Sequence, residues 1–251
     1  MAVVHGDGDH ALAVVRGSRG GRHDGRKVSI MEPPATGPRT IEIEDGQMSV
    51  VPRGDSRSVF YVTGASGSGK SVFVSNLLAE WCHKHPDGQV YFISRLDSDT
   101  AFEDLPIQRV KVDESLVTEP LTVDEFPENC FVVYDDIDTI PNKAVSEAVQ
   151  ALLRDMLEVG RHKNISVAVT SHLATNYSKT RTILNEAHFV VCFAHGSSAQ
   201  AIKYIMKTYC GLDNDDVKKL LKLPSRWVCV RRHYPPAVVY GGGAYLIGGG
   251  E

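Results

Sequence analysis

Gly64-Ala65-Ser66-Gly67-Ser68-Gly69-Lys70-Ser71 decides the fold. It follows a compact apolar run, Ser58–Thr63, that reads as a buried strand. It opens onto Val72–Trp81, whose apolar density suits a packed helix. Strand, glycine-rich loop and helix, joined by G-x-x-x-x-G-K-S, make a phosphate-binding context. A Gly/Ser-rich surface turn matching the same letters by chance would lack that frame. The glycines let successive backbone N–H groups turn inward around a phosphate, and the helix N-terminus adds its partial positive charge. The expected nucleotide contacts are Gly64, Ala65, Ser66, Gly67, Ser68, Gly69, Lys70, Ser71 and Val72. Lys70 reaches the β- and γ-phosphates, and the Ser71 hydroxyl is a ligand for Mg²⁺.

Downstream of the loop, strand and helix patterns alternate. Gln89–Ser94, Ile107–Val112, Cys130–Tyr134, Ile165–Thr170, His188–Ala194, Arg226–Arg232 and Ala237–Tyr240 read as strands. Helices are expected over 142–159 with Gly160 as the stop, and over 180–187, 197–209 and 213–222. This alternation predicts an α/β fold, and with the Gly64–Ser71 loop at the end of its first strand the chain resembles the P-loop NTPases (RecA-like, ASCE). Its central sheet is mostly parallel and flanked by helices, with antiparallel strands at the C-terminal edge and ligands at the carboxyl ends of the strands. Residues 1–38, rich in Gly and Pro and mildly basic, read as a flexible arm, whether plain tail or a contact for nucleic acid or a partner. The ATPase domain is expected over 39–240, beginning with a hairpin at Thr40–Val51 turned at Asp45-Gly46, and 241–251 reads as a loose Gly-rich tail.

The second chemical signal is Phe131-Val132-Val133-Tyr134-Asp135-Asp136, 65 residues after Lys70. A phosphate loop needs a Mg²⁺-ordering acid at the end of a neighbouring strand, and Asp135 supplies it. Asp136 beside it is placed to orient or deprotonate an attacking water, although helix capping would also use a carboxylate there. A doubled acid favours hydrolysis of ATP over transfer to a bound small molecule. The strand Ile165–Thr170 ends in Ser171-His172; where a strand is inserted between the two motif strands, a polar residue here senses the γ-phosphate. His172 is the first candidate and Ser171 the second. Arg161, in Gly160-Arg161-His162, is the candidate arginine finger acting on a neighbouring subunit, with Arg154 as its alternative. A surface salt bridge is the bland reading for either arginine.

The 251 residues suffice for one large α/β domain. A net charge of −4 argues against wholesale coating of nucleic acid, but the charge is segregated. Ten acidic residues lie between Asp97 and Glu128, whereas eight Lys/Arg lie between Lys203 and Arg232. Five scattered cysteines with no C-x-x-C spacing suit buried thiols in a reducing compartment. No run approaches the roughly 20 apolar residues of a membrane span, and residues 1–15 lack the pattern of a signal peptide. The expectation is a soluble intracellular protein.

Gly64–Ser71, Phe131–Asp136 and the run Gly160-Arg161-His162-Lys163-Asn164-Ile165-Ser166-Val167 through His172 together resemble the poxvirus-type DNA-packaging ATPases of the FtsK–HerA superfamily. Thr180–Ala187, leading into an apolar strand, fits the same order, and the resemblance spans roughly residues 50–235. It implies a homo-oligomeric ring, pentameric or hexameric, that encircles double-stranded DNA and drives it into a capsid at the expense of ATP. The partners it implies are DNA, the chain itself and a capsid or portal protein. The implied location is the host cytoplasm, viral factory or virion, with no membrane. The chain departs from the family in carrying Asp136 where Glu is frequent and His172 where Gln is common. A cellular translocase of the same superfamily is the alternative. A small-molecule kinase is disfavoured because the region between the motif strands is acidic and lacks an arginine-rich lid. A GTP switch is disfavoured because Asn142-Lys143-Ala144-Val145 lacks the base-reading Asp. DNA contact has no motif, since backbone grip needs only basic side chains facing a pore. By charge alone the candidates are Lys179, Arg181, Lys203, Lys207, Lys218, Lys219 and Lys222.

Overall fold

The computed structural model describes residues 57–172, 177–194, 197–233, 236–241 and 243–247, together with four N-terminal strands. Those strands are β1 (Val4–His5), β2 (His10–Arg16), β3 (Lys27–Ile30) and β4 (Ile41–Glu44), in a sheet of order β1-β3-β2-β4. Where the sequence suggests only a flexible arm, residues 1–38 therefore contribute three strands. The run Ala-Leu-Ala-Val-Val within β2 has the composition to form one, and the frequent glycines lie between the strands. β4, the first strand of the expected hairpin, pairs in parallel with β2, while the turn at Asp45-Gly46 and the return strand, 48–51, fall outside the described residues.

From residue 57 the chain builds a nine-stranded sheet. In chain order its elements are β5 (Val59–Thr63), α1 (Lys70–Lys84), β6 (Val90–Ser94), β7 (Ile107–Lys111), α2 (Ser115–Thr118), β8 (Phe131–Tyr134) and α3 (Lys143–Glu158). Next come β9 (Ser166–Ser171), α4 (Tyr177–Glu186), β10 (Phe189–Cys192), α5 (Ala199–Thr208), α6 (Asn214–Leu221), β11 (Val228–Arg231), β12 (Ala237–Tyr240) and β13 (Gly243–Leu246). The order across the sheet is β13-β12-β11-β10-β5-β9-β8-β6-β7. The six strands from β10 to β7 run parallel, and β11, β12 and β13 are antiparallel additions. This is the expected α/β architecture, with β9 inserted between β5 and β8. The tail holds one surprise, for Gly243–Leu246 is a strand whose Ala244 and Tyr245 pair with Val239 and Val238.

Both sheet faces are covered, so the central strands are apolar throughout. Val59 and Tyr61 of β5 enter the core shared with α3, α4, α5 and α6, whereas Phe60 and Val62 face α1 through Leu78 and Trp81. α3 begins at Asn142, whose side chain accepts from the amides of Ala144 and Val145. Its end departs from expectation. Gly160 continues into a 3₁₀ turn, Gly160–Lys163, and Asn164, at φ 53°, makes the left-handed reversal into β9. Arg57 fastens this corner by donating to the carbonyls of Ile165 (2.8 Å), Leu157 (3.0 Å) and Met156 (2.7 Å).

Candidate nucleotide and hydrolysis site

Parallel strands bring their carboxyl ends to one edge, and there the apolar pattern gives way to polar residues. β6 and β8 are in register at Ile93↔Tyr134, and β8 and β9 at Tyr134↔Val169. One residue further on, Ser94, Asp135 and Thr170 therefore form a row across three strands. Asp135 is buried and accepts from Thr170 Oγ1 (2.8 Å) and Ser94 Oγ (3.2 Å). Burial, and next the neighbouring Asp136, push its carboxyl above the usual carboxylate range, against the opposing pull of the Thr170 and Ser94 hydroxyls.

Asp136 sits in the left-handed region at φ 47°, unusual for a residue with a side chain. Its amide donates to Thr170 Oγ1 at 2.8 Å. That hydroxyl is thus a two-way tie, accepting from the backbone of Asp136 while donating to Asp135. The Asp136 carboxylate points toward His172 Nε2 (2.7 Å) and lies 3.9 Å from Lys70 Nζ. Lys70 Nζ is 3.2 Å from His172 Nδ1. An ammonium can only donate, so Nδ1 is the acceptor and Nε2 carries the proton donated to Asp136. Asp138 secures the corner beneath, its Oδ2 accepting from Ser171 Oγ (2.7 Å) and from the His172 amide (3.1 Å). Ser171 thus serves Asp138, and His172 faces the lysine.

The glycine-rich loop Gly64–Ser71 closes the site from β5. Gly67 and Gly69 adopt φ 69° and 109°, a region that favours glycine. A Cβ on Gly64 would meet Phe193 Cβ and Ser68 Oγ, each at 2.7 Å. Lys70 is buried and folds back onto the carbonyls of Gly64 (3.0 Å) and Ala65 (3.4 Å). Ser71 and Val72 lie in the first turn of α1, and Val72 is exposed.

The structure therefore joins Lys70, Asp135, Asp136 and His172, and adds Ser94, Thr170 and Asp138, which sequence reading passed over. Thr170 was legible only as the last apolar-strand position, and its role emerges from register. Arg161 is not part of this cluster. It is exposed on the turn before β9, at the opposite edge of the sheet, where its charge is felt by Arg57. The length of β9, at about 3.3 Å per residue, separates it from the site by roughly 17–20 Å. Arg154 is exposed on α3. Lys203 and Lys207 of α5 and Lys218 and Lys219 of α6 are exposed, with Lys218 paired to Asp215 at 2.9 Å. Arg181 and Lys222 are exposed as well, and the side chain of Lys179 falls outside the described residues.

Among the described residues, no three His, Cys, Asp or Glu side chains cluster to hold a metal. One buried carboxylate beside a phosphate loop instead suits Mg²⁺, which takes few protein ligands and completes its octahedron with phosphate oxygens and water. Among the described residues no helix is long and apolar enough to cross a membrane.

The uncharacterized protein V3 of Sputnik virophage is 34% identical over 230 residues, covering 91% of this chain and 93% of that protein. No protein-family model matches the chain. Among solved structures, the genome packaging NTPase B204 of Sulfolobus turreted icosahedral virus 2, in complex with AMPPCP, is 12% identical with a TM-score of 0.44. That likeness covers 70% of this chain and 93% of B204. The cytoplasmic domain of the Thermomonospora curvata Type VII secretion ATPase EccC is 13% identical with a TM-score of 0.49, covering 77% of this chain and 26% of that one. The pCW3 conjugation coupling protein TcpA with ATPγS is 14% identical with a TM-score of 0.43, covering 76% and 60%.

Proposed function

We propose, for a chain that belongs to the family of the Sputnik virophage protein V3, that it is an ATP-hydrolysing motor which drives double-stranded DNA into a viral capsid. The observation that carries the hydrolytic half is the junction of Lys70, Asp135, Asp136 and His172 at one strand edge beside a phosphate loop. The packaging half rests on the resemblance of the Gly64–Ser71, Phe131–Asp136 and Gly160–His172 stretches to viral packaging ATPases, and the virophage relative fits that viral setting.

In this reading Lys70 leaves the Gly64 and Ala65 carbonyls for the β- and γ-phosphates. Ser71 and Asp135 would hold Mg²⁺, which would supply charge neutralisation on the phosphate chain. Asp136, exposed enough to meet solvent and steadied by His172, orients a water and takes its proton as the water oxygen attacks the γ-phosphorus. The bond to the bridging oxygen breaks, leaving ADP and inorganic phosphate. His172, hydrogen-bonded to both Asp136 and Lys70, registers the γ-phosphate when Lys70 moves. Arg161 lies too far away to serve its own site and acts on that of the next subunit in a ring. Basic side chains of the C-terminal helices facing the pore grip the DNA backbone.

The test is steady-state ATP hydrolysis with and without linear double-stranded DNA at low and moderate salt, for the natural chain and Arg161→Ala. Salt-sensitive stimulation by DNA that vanishes in the variant is the expected result. A rate indifferent to DNA and to Arg161 would refute both the motor and the arginine finger.

A further inference from the structure

We propose that Arg226 is a second, cis-acting guanidinium of the nucleotide site, engaging the phosphate chain from the flank opposite Asp136. This rests on the nucleotide-binding reading of the Gly64–Ser71 loop. Because β11 is antiparallel to β10, the residues entering β11 lie at the same edge at which β5 and β10 end. Arg226 is there, two residues before Val228, and its Nη2 donates to the carbonyl of Ser68 in the centre of the loop, at 3.4 Å. Sequence reading counted it only as the first residue of a strand within a basic run.

The backbone that presents Arg226 is held by packing and hydrogen bonds on either side, while among the described residues its head group makes only the long bond to Ser68. Trp227 packs edge-on against Phe73 of α1, with ring centroids 5.1 Å apart, and Phe73 meets Phe193 at 6.4 Å. Phe193 in turn underlies Gly64 and Gly69 of the loop. Ser225 Oγ donates to the Trp227 carbonyl (2.6 Å) and accepts from the Gly241 amide (2.9 Å). The turn carrying Arg226 is thus tied to the loop's own support. By contrast, the guanidinium is exposed, and among the described residues no carboxylate forms an ion pair with it. Its one long bond to a neutral carbonyl is weak and readily exchanged for a charged oxygen.

Charge balance supplies the reason for such an exchange. Among the described residues Lys70 is the cation held at this edge, 3.9 Å from Asp136, and Asp135 and Asp138 add two further carboxylates beside it. A triphosphate brings several more negative charges to this already acidic edge. Asp135 would hold a Mg²⁺ that offsets part of this charge on its flank, and a planar guanidinium matched to phosphate geometry answers the rest on the β11 flank.

Isothermal titration with Mg–ATP, Mg–ADP and AMP tests this on the full chain, Arg226→Ala, Arg226→Lys and the surface-charge control Lys84→Ala. Arg226→Ala should bind Mg–ATP about tenfold more weakly, equivalent to about 1.4 kcal/mol. It should lose less for Mg–ADP and show no change for AMP. Arg226→Lys should recover part of the loss, Lys84→Ala should match the natural chain, and nucleotide-free melting should be the same in all four proteins. Unchanged Mg–ATP affinity in Arg226→Ala would overturn the inference. So would an equal loss for all three nucleotides, which is what a merely structural distortion of the loop produces. Failure of the natural chain itself to bind Mg–ATP would instead refute the nucleotide-binding reading, and this inference with it.

Discussion

Replacing Thr170 with Val removes one hydroxyl and keeps the branched shape, so it tests the two-way tie between the carboxylates. Thr170 is 1% exposed, and its Oγ1 accepts from the Asp136 amide and donates to Asp135 Oδ1, both at 2.8 Å. Without it, the part-buried amide of Asp136 loses its partner, at about 1–3 kcal/mol, and Asp135 loses a bond to a charged group, at about 1.5–3 kcal/mol. The two losses share one site, so their combined cost is about 2–4 kcal/mol. In a chain of this size that lowers the melting temperature by about 5–15 °C. Asp136 is also freed from a backbone conformation that few side chains favour, and a misplacement of about 1 Å at a reacting centre costs about 10²-fold in turnover. Thermal melts and steady-state hydrolysis should therefore show Thr170→Val both less stable and about a hundredfold slower. Thr170→Ser, which keeps the hydroxyl, should stay within about fivefold of the natural rate. A Val variant with natural turnover, or a Ser variant as impaired as Val, would refute the tie.

Two further outcomes follow from buried charge. The Asp135 carboxyl is pushed above its ordinary range, so between the unfolded and folded values the folded state holds the extra proton and stability falls as pH rises. Asp135→Asn should abolish this fall and raise the melting temperature of the ligand-free protein at neutral pH, while eliminating Mg²⁺-dependent hydrolysis; melts across pH 4–8 check it, and parallel curves for the two proteins would contradict it. His188 accepts from the Val59 amide at 3.2 Å, and burial first, then His233, Arg57 and Arg232, bring its ring down to about 4 from an ordinary 6.5. The unfolded chain takes up that proton first, so stability present above pH 6.5 drains away toward pH 4. The drop is worth at most about 3.4 kcal/mol, brought to about 2 kcal/mol by partial exposure. His188→Asn, which keeps an acceptor without the titration, should flatten the acid limb of denaturant-measured stability, and an unchanged limb would count against this role.

The parts of the site legible in the sequence are those encoded by contiguous residues. The loop between β5 and α1, the acids ending β8 and the polar end of β9 each announce themselves through composition at a strand terminus. Parallel topology then obliges them to meet, because every parallel strand delivers its carboxyl end to one edge. Thr170, Ser94 and Asp138 were not legible in this way, since what they do depends on register and on the path of a corner. A one-residue slip between β8 and β9 would set Thr170 beside Tyr134 instead of Asp135. β13 escaped notice because four residues beginning with Gly243 carry too little local preference, and their pairing with β12 is what makes them a strand.

Arg226 and Arg161 illustrate the same limit from opposite sides. Both are exposed arginines next to a strand's first residues, and composition alone ranks Arg161 higher because its neighbours resemble a known run. Strand direction reverses their positions in space. β9 is parallel to β5, so its start carries Arg161 away from the loop, whereas β11 is antiparallel, so its start carries Arg226 onto it. An arginine at the start of a strand can therefore serve its own site only where that strand opposes the loop-bearing one. Where the strand runs parallel, the same residue type is carried to the far end of the strands, away from the loop.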